Sequence, residues 1–458
     1  MAKRRVNFLR FTVFLMVTML VAAGAAYGAF YVFTGMGKKT DIPAGAELLT
    51  GYGNEDVLSK ANYMAMGYDY DGAIELLKSQ PNYEESSEYK SAVLSFEEQR
   101  EKCVPVDVTN VPHIFYYSLV NEPKYTFDAS KMGDTFATYH QTWMVTTKEF
   151  DRITKALYDN GYVYVHMHDL VVETKNEDGS VTISPNRQLR LPPDKKPIVL
   201  SVDGLAYYHA HAKGGYPEKI VLNERGEPKC LYTNSSGVTD IGDYDVVPRL
   251  NTFLTTHPDG AYKNARGFIA LTGYNGVFGY RTDVAYKTGE NLDDDQKAWL
   301  KAHPEFNWEN EVAEATKVAE AIKNSGWEFA SHTWGKVSVN GKSAEALKRD
   351  NEKWVNTVQN IVGQVDTITF TPGNDIGGFT DYTLDNEVFT YYKSAGYNYY
   401  CNVDASVLVW NQFRTNYVRQ ARINMGGMRL RLAARGESKV LDKLFDAKSI
   451  YDEERPSF

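Results

Sequence analysis

The sequence predicts an α/β protein: a barrel of parallel strands at the centre of one large domain, behind a hydrophobic segment and a small helical unit. Three observations predict it. From Val104 onward short apolar runs alternate with amphipathic stretches, the pattern of strands and covering helices in a parallel sheet. About seven such runs fall between residues 104 and 435, enough to close a barrel whose chemistry would sit at the C-terminal strand ends. Hydrophobic content of 43% and charged content of 24% are values of a globular chain.

The first element is the hydrophobic segment. Phe11 to Met36 is a run of 26 residues without a charge. At about 1.5 Å per residue, a helix of that length crosses a hydrocarbon core of roughly 30 Å. Lys3, Arg4, Arg5 and Arg10 precede it, and the positive-inside rule keeps them cytoplasmic. The expected division is a basic tail at 1–10, a signal-anchor helix at 11–36 and a linker at 37–54 with Pro43, Gly45, Gly51 and Gly53. A cleaved signal peptide is the rival reading, because Ala22 to Ala26 offers small residues near a cut. The apolar run continues through Phe30 to Phe33, beyond an h-region of about 7–15 residues. Either reading exports the main domain. The expectation is a single-pass plasma-membrane protein with an extracellular main domain.

Residues 55–103 form the second element. Apolar positions recur three and four apart through Asp56–Leu77, with a turn near Gly67, which predicts a helix pair. Ala61 to Ile74 resembles a tetratricopeptide unit, and a third helix is expected from about Glu85 to Lys102. Such arrays need about three repeats to stand alone, so the unit reads as a spacer packed on its neighbour. A groove in residues 55–102 could take an envelope protein as partner.

The main domain spans 104–435, and 436–458 reads as a C-terminal tail. Strands are expected at His113–Tyr117, Tyr162–His166, Pro197–Val202, Phe268–Leu271, Trp327–Ala330, Thr367–Phe370 and Tyr399–Val403. Helices are expected at Thr147–Asp159, Asp243–His257, Trp308–Ser325 and Ala344–Val362. The formal net charge is −9, and residues 1–39 carry +6, which leaves −15 on the remainder. So acidic a body excludes nucleic acid as a partner. Cys103, Cys230 and Cys401 show no metal-site spacing. The 32 tyrosines suit a carbohydrate surface, although most tyrosines in any chain are core.

Four segments of the main domain resemble a known family. They are Pro112 to Leu119, Val145 to Phe150, Lys196-Pro197-Ile198-Val199-Leu200-Ser201-Val202-Asp203-Gly204, and Gly326 to Gly335 with His332. Their order and spacing are similar to those of polysaccharide deacetylases, the carbohydrate esterase family four or NodB homology domain. The resemblance implies a distorted (β/α) barrel that removes acetyl groups from cell-envelope glycan. It implies a divalent metal, zinc or cobalt, held by an Asp and two His that activates water, with a neighbouring Asp as general base.

The sequence departs from that pattern. Where the family has two adjacent acids, this chain has Asp203 and Gly204. Without a gap Asp203 takes the base position; with a one-residue deletion it becomes the metal ligand and Val202 takes the base position. His332 matches the first metal His, and Lys336 stands in place of the second. Thr371-Pro372-Gly373-Asn374-Asp375 lacks the expected Arg, Tyr116-Tyr117 replaces a Tyr-His pair, and no His occurs after His332. Two His pairs are candidates to rebuild a metal site, His209 with His211 and His166 with His168 beside Asp169. Asp404 is a candidate acid at another strand end, or a helix cap. Tyr274 and Arg281 are candidate sugar contacts. Asp293–Asp295 reads as a solvated acidic loop or helix start, with calcium binding as the rival reading. Arg414, Arg419, Arg422, Arg429 and Arg431 could meet an anionic glycan or the membrane surface. The expected function is a membrane-anchored deacetylase-like protein, impaired or inactive and glycan-binding; the alternative is an active metal-dependent hydrolase with a rebuilt site.

Overall fold

Strands buried on both faces need near-continuous apolar or internally paired side chains, and seven segments of the chain supply them. They are β1 (His113–Tyr116), β2 (Lys196–Asp203), β3 (Gly267–Leu271), β4 (Trp327–Ser331), β5 (Thr367–Thr369), β6 (Tyr399–Val403) and β7 (Val418–Asn424). The computed structural model describes residues 56–211, 214–404 and 406–456. The expected tail, membrane segment and linker at 1–54 lie outside them. Among the described residues no helix is long and apolar enough to cross a membrane.

The seven strands run parallel and close into a barrel in chain order, β7 pairing with β1 through Ile423↔Ile114 and Asn424↔Phe115. Gly267 opens β3 at φ 135°, and a Cβ there would come within 2.1 Å of the Leu200 carbonyl oxygen. Only glycine lets β3 lie that close to β2. Side chains alternate between two apolar layers, as the period of two requires. Val199, Phe268, Ala270, Ala330, Tyr399, Cys401 and Val418 fill the barrel. Leu200, Val202, Ile269, Phe329, Ile368 and Ile423 pack in the layer under the helices.

The covering helices match the sequence closely. They are Thr147–Asp159, Val246–Thr256, Trp308–Asn324 and Ala344–Thr357, the last continued by a short turn of helix at Gln359–Val362. Thr146 and Glu149 form a complete capping box on the first of these. Two expectations need correction. Tyr162–Tyr164 is a strand but not one of the seven closing staves: it pairs with Lys196–Ile198 at the start of β2 and makes a single bridge from Tyr164 to Ala261. The seventh stave is β7, which its Arg and Gln residues had disguised as surface. An antiparallel sheet of three strands between Lys219 and Gly242 is inserted after β2 and was not foreseen.

The helical unit comprises Val57–Met66, Tyr70–Lys78 and Ser87–Lys102. It packs on the N-terminal end of the barrel. The Lys263 amide donates to the Gly67 carbonyl at 2.7 Å and the Tyr68 hydroxyl to the Asp259 carbonyl at 2.7 Å. Ala61, Tyr68, Leu77 and Phe96 share an apolar cluster with Val163 and Leu191 of the barrel domain. At the other terminus, residues after 435 do not trail free. Leu441, Leu444, Phe445 and Ile450 are buried, and Arg455 lies against Glu149 at 2.7 Å.

Candidate functional site

The inward faces of several staves carry polar groups up the barrel. β2 offers Ser201 and Asp203, β7 offers Gln420 and Arg422, and β4 offers Glu328 at its start, with His332 just beyond its end. Low in this column, Arg422 Nη1 donates to Ser201 Oγ at 3.1 Å, which frees the serine proton for His113 Nε2 at 2.9 Å. His113 Nδ1 then donates to Gln420 Oε1 at 2.9 Å. Burial, aided by the Arg422 charge, pushes the His113 pKa well below the usual imidazole value, so this ring is neutral.

Above it sits the centre of the site. Arg422 holds both oxygens of Asp203, Nη1 to Oδ1 at 2.6 Å and Nη2 to Oδ2 at 3.1 Å. Both residues are fully buried or nearly so. Burial works to raise the Asp203 pKa, but Arg422, His332 and Lys336 together hold it below the usual carboxylate value. His332 bonds Thr369 Oγ1 through Nδ1 at 2.5 Å. Its Nε2 has no partner and lies 3.8 Å from Asp203 Oδ2, beyond hydrogen-bond reach. Burial lowers the His332 pKa to about 4, with Asp203 opposing and Lys336 and Arg422 assisting. Lys336 lies in the turn after β4 with Nζ 5.3 Å over the Tyr117 ring, and burial of its surroundings lowers its pKa.

Asp203, His332 and Lys336 line a cavity of about 270 Å³ at the C-terminal strand ends, walled by Tyr117, Tyr139, Tyr208 and His211. The donor set fits a divalent metal poorly. Asp203 and His332 converge, but the guanidinium already spans the carboxylate, and the Lys336 charge acts on the same group. Among the described residues no three His, Cys, Asp or Glu are grouped to hold a metal ion. Gly204 stands at φ 104°, a conformation that L side chains rarely adopt, so restoring an acid there would strain the turn.

Of the other candidates, His211 reaches the cavity wall, edge-on to His140 and Tyr208 and tilted against Tyr216, and burial lowers its pKa to about 3. His209 bonds the Tyr286 hydroxyl at 2.6 Å and does not line the cavity. Asp404 accepts from the Ser406 amide and hydroxyl at 2.8 and 2.7 Å, a turn cap. Tyr274 bonds Asp293, which caps the helix Asp294–Ala302. Arg281 is buried and donates to the Tyr207 carbonyl at 3.1 Å, bracing the loop after β2. Arg419 and Arg422 are fully buried, so the reading of both as glycan- or membrane-facing charges is corrected. Arg419 pairs with Asp375 at 2.9 Å.

His166 and His168 lie at the opposite end of the barrel from Asp203, because the strand before them stops at Tyr164. His168 is clamped between Glu328 Oε2 at 2.9 Å and Asp366 Oδ2 at 3.1 Å. Burial alone would lower its pKa, but the two carboxylates outweigh it and hold it well above the usual value. A raised folded pKa stabilises the fold fully below the unfolded value of about 6.5, and the gain is lost as pH rises through the folded pKa. His168→Gln therefore lowers the melting temperature more at about pH 6 than at about pH 9, as differential scanning fluorimetry would read.

Arg422 is the site residue that the sequence reading placed on the surface, whereas it is buried against Asp203. Its signal was the alternation of polar and apolar residues in Gln420–Asn424, an inward polar face on a buried strand. Among proteins of known family, no family model matches the chain, and no curated relative matches it. Among solved structures, the chain is similar to Streptococcus pyogenes deacetylase PplD in complex with acetate, with 13% identity, 71% of this chain and 97% of that chain covered, and a TM-score of 0.34. So distant a likeness assigns no residue of the site and no activity.

Proposed function

We propose that this chain is a polysaccharide deacetylase-like protein of the cell envelope, anchored in the plasma membrane by residues 11–36, in which an internal cation has replaced the metal. It does not work as a metal-dependent deacetylase, and its cleft holds glycan. One observation carries the reading: the Asp203 carboxylate, left alone where the family has two acids, is spanned by the buried Arg422 guanidinium. Gly204, Lys336 and the lack of any His after His332 support it. Without a second acid there is no separate base, and a neutral, unpaired His332 cannot supply both metal ligation and proton transfer.

The test is acetate release from N-acetylated chitooligosaccharide and peptidoglycan, with zinc or cobalt added and with chelator. The expected result is no chelator-sensitive release, and a melting temperature that chelator does not move. Acetate release abolished by chelator would overturn the reading and establish a rebuilt metal site on Asp203 and His332.

A further inference from the structure

The cavity mouth carries a cation that no acid pairs. Arg422 and Lys336 face a single carboxylate, and Arg422 already satisfies both oxygens of Asp203. Among the described residues no acid lies within ion-pair distance of Lys336, whose ammonium instead rests over the Tyr117 ring. His332 and His211 are held neutral by burial and add no charge near pH 7. Asp245, behind the wall, accepts from the Tyr207 hydroxyl at 2.8 Å and balances the summed charge, but among the described lining residues Lys336 is a cation that no acid pairs.

A second observation points to a ligand. His332 is 2% exposed, lines the cavity and leaves Nε2 without any hydrogen-bond partner. A buried polar atom without a partner costs free energy until something occupies the space before it. The walls add the third feature. The rings of Tyr117, Tyr139 and Tyr208 stand around the opening, and aromatic faces take the C–H faces of sugars while their hydroxyls meet the polar edges.

We propose that this cavity binds a saccharide bearing a carboxylate, with Lys336 pairing the carboxylate and the tyrosines holding the ring. The proposal rests on the reading of the cleft as a metal-free glycan site and deepens it by naming the glycan class. Long-range attraction cannot select such a ligand, because the acidic surface repels anions and salt screens charge beyond about 8 Å. Selection is local, through one charge-assisted contact in a partly desolvated mouth, so the effect hangs on a single side chain.

The experiment uses two disaccharides that differ only at one C6 position, glucuronosyl-glucose and cellobiose. Each is titrated calorimetrically into the detergent-solubilised full chain. The uronic acid is expected to bind at least about tenfold more tightly than its neutral twin, the scale of one charge-assisted hydrogen bond. Lys336→Met is expected to abolish that preference and Lys336→Arg to retain it. Equal binding of the twins, no binding of either, or a preference that survives Lys336→Met would overturn the proposal. Acetyl-alanine bound as tightly as the sugar acid would overturn the saccharide assignment. None of these outcomes measures acetate release, so they fail separately from the loss of deacetylase activity.

Discussion

Arg422→Met is expected to destabilise the barrel by about 4 kcal/mol, the largest effect of any single substitution in the site. The reason is what it leaves behind. Asp203 would remain buried with its carboxylate ionised or forced to take a proton, since the nearest groups left are a neutral His332 at 3.8 Å and the charge of Lys336. Removing one partner of a buried pair costs far more than the pair itself contributes. Combining Arg422→Met with Asp203→Asn removes both charges together, and the double variant is expected to recover more than half of the loss. Chemical denaturation of the four proteins of the cycle gives the coupling, expected to exceed about 2 kcal/mol. A coupling near zero would mean that the two side chains do not act as a pair.

The second large effect lies at the far end of the chain. Glu149 and Arg455 are fully or almost fully buried and meet at 2.7 and 2.8 Å. Glu149 also closes the capping box by accepting from the Thr146 amide at 2.9 Å, and it accepts from the Asp452 amide at 3.0 Å. One carboxylate thus ties the start of the first covering helix to the last residues of the chain. Arg455→Met is expected to cost about 3 kcal/mol, towards the low end for a broken buried pair because Glu149 keeps its backbone donors and the helix N-terminus. Truncation before residue 436 is expected to cost more, since it also exposes Leu441, Leu444, Phe445 and Ile450 of the core. Thermal unfolding of both variants checks this; an Arg455→Met protein as stable as the parent would sink it.

Much of the architecture was legible because the barrel strands are apolar and their helices are strongly patterned. Thr147–Asp159 begins on a capping box, and its bounds could be read to the residue. Asp203 and His332 were legible because each sits at a strand end within a spaced motif. β7 was not, because its inward face carries Gln420 and Arg422, and a charged strand reads as surface until its partner is known. That partner, Asp203, is 219 residues away, and no local period links them. His166 and His168 misled for the opposite reason: their spacing suits chelation, but the strand before them pairs with the foot of β2, and they end under the barrel with Glu328 and Asp366.

The attachment of the helical unit sets a bearing for the whole molecule. Gly67 and Tyr68 grip residues 259–263, which lead into the foot of β3, whereas the cavity opens beyond the tips of β2 and β4. A tether entering through the first helix would therefore hold the barrel by its base and turn its mouth outward. The cleft thus lies at the end of the barrel away from the point where the helical unit grips it.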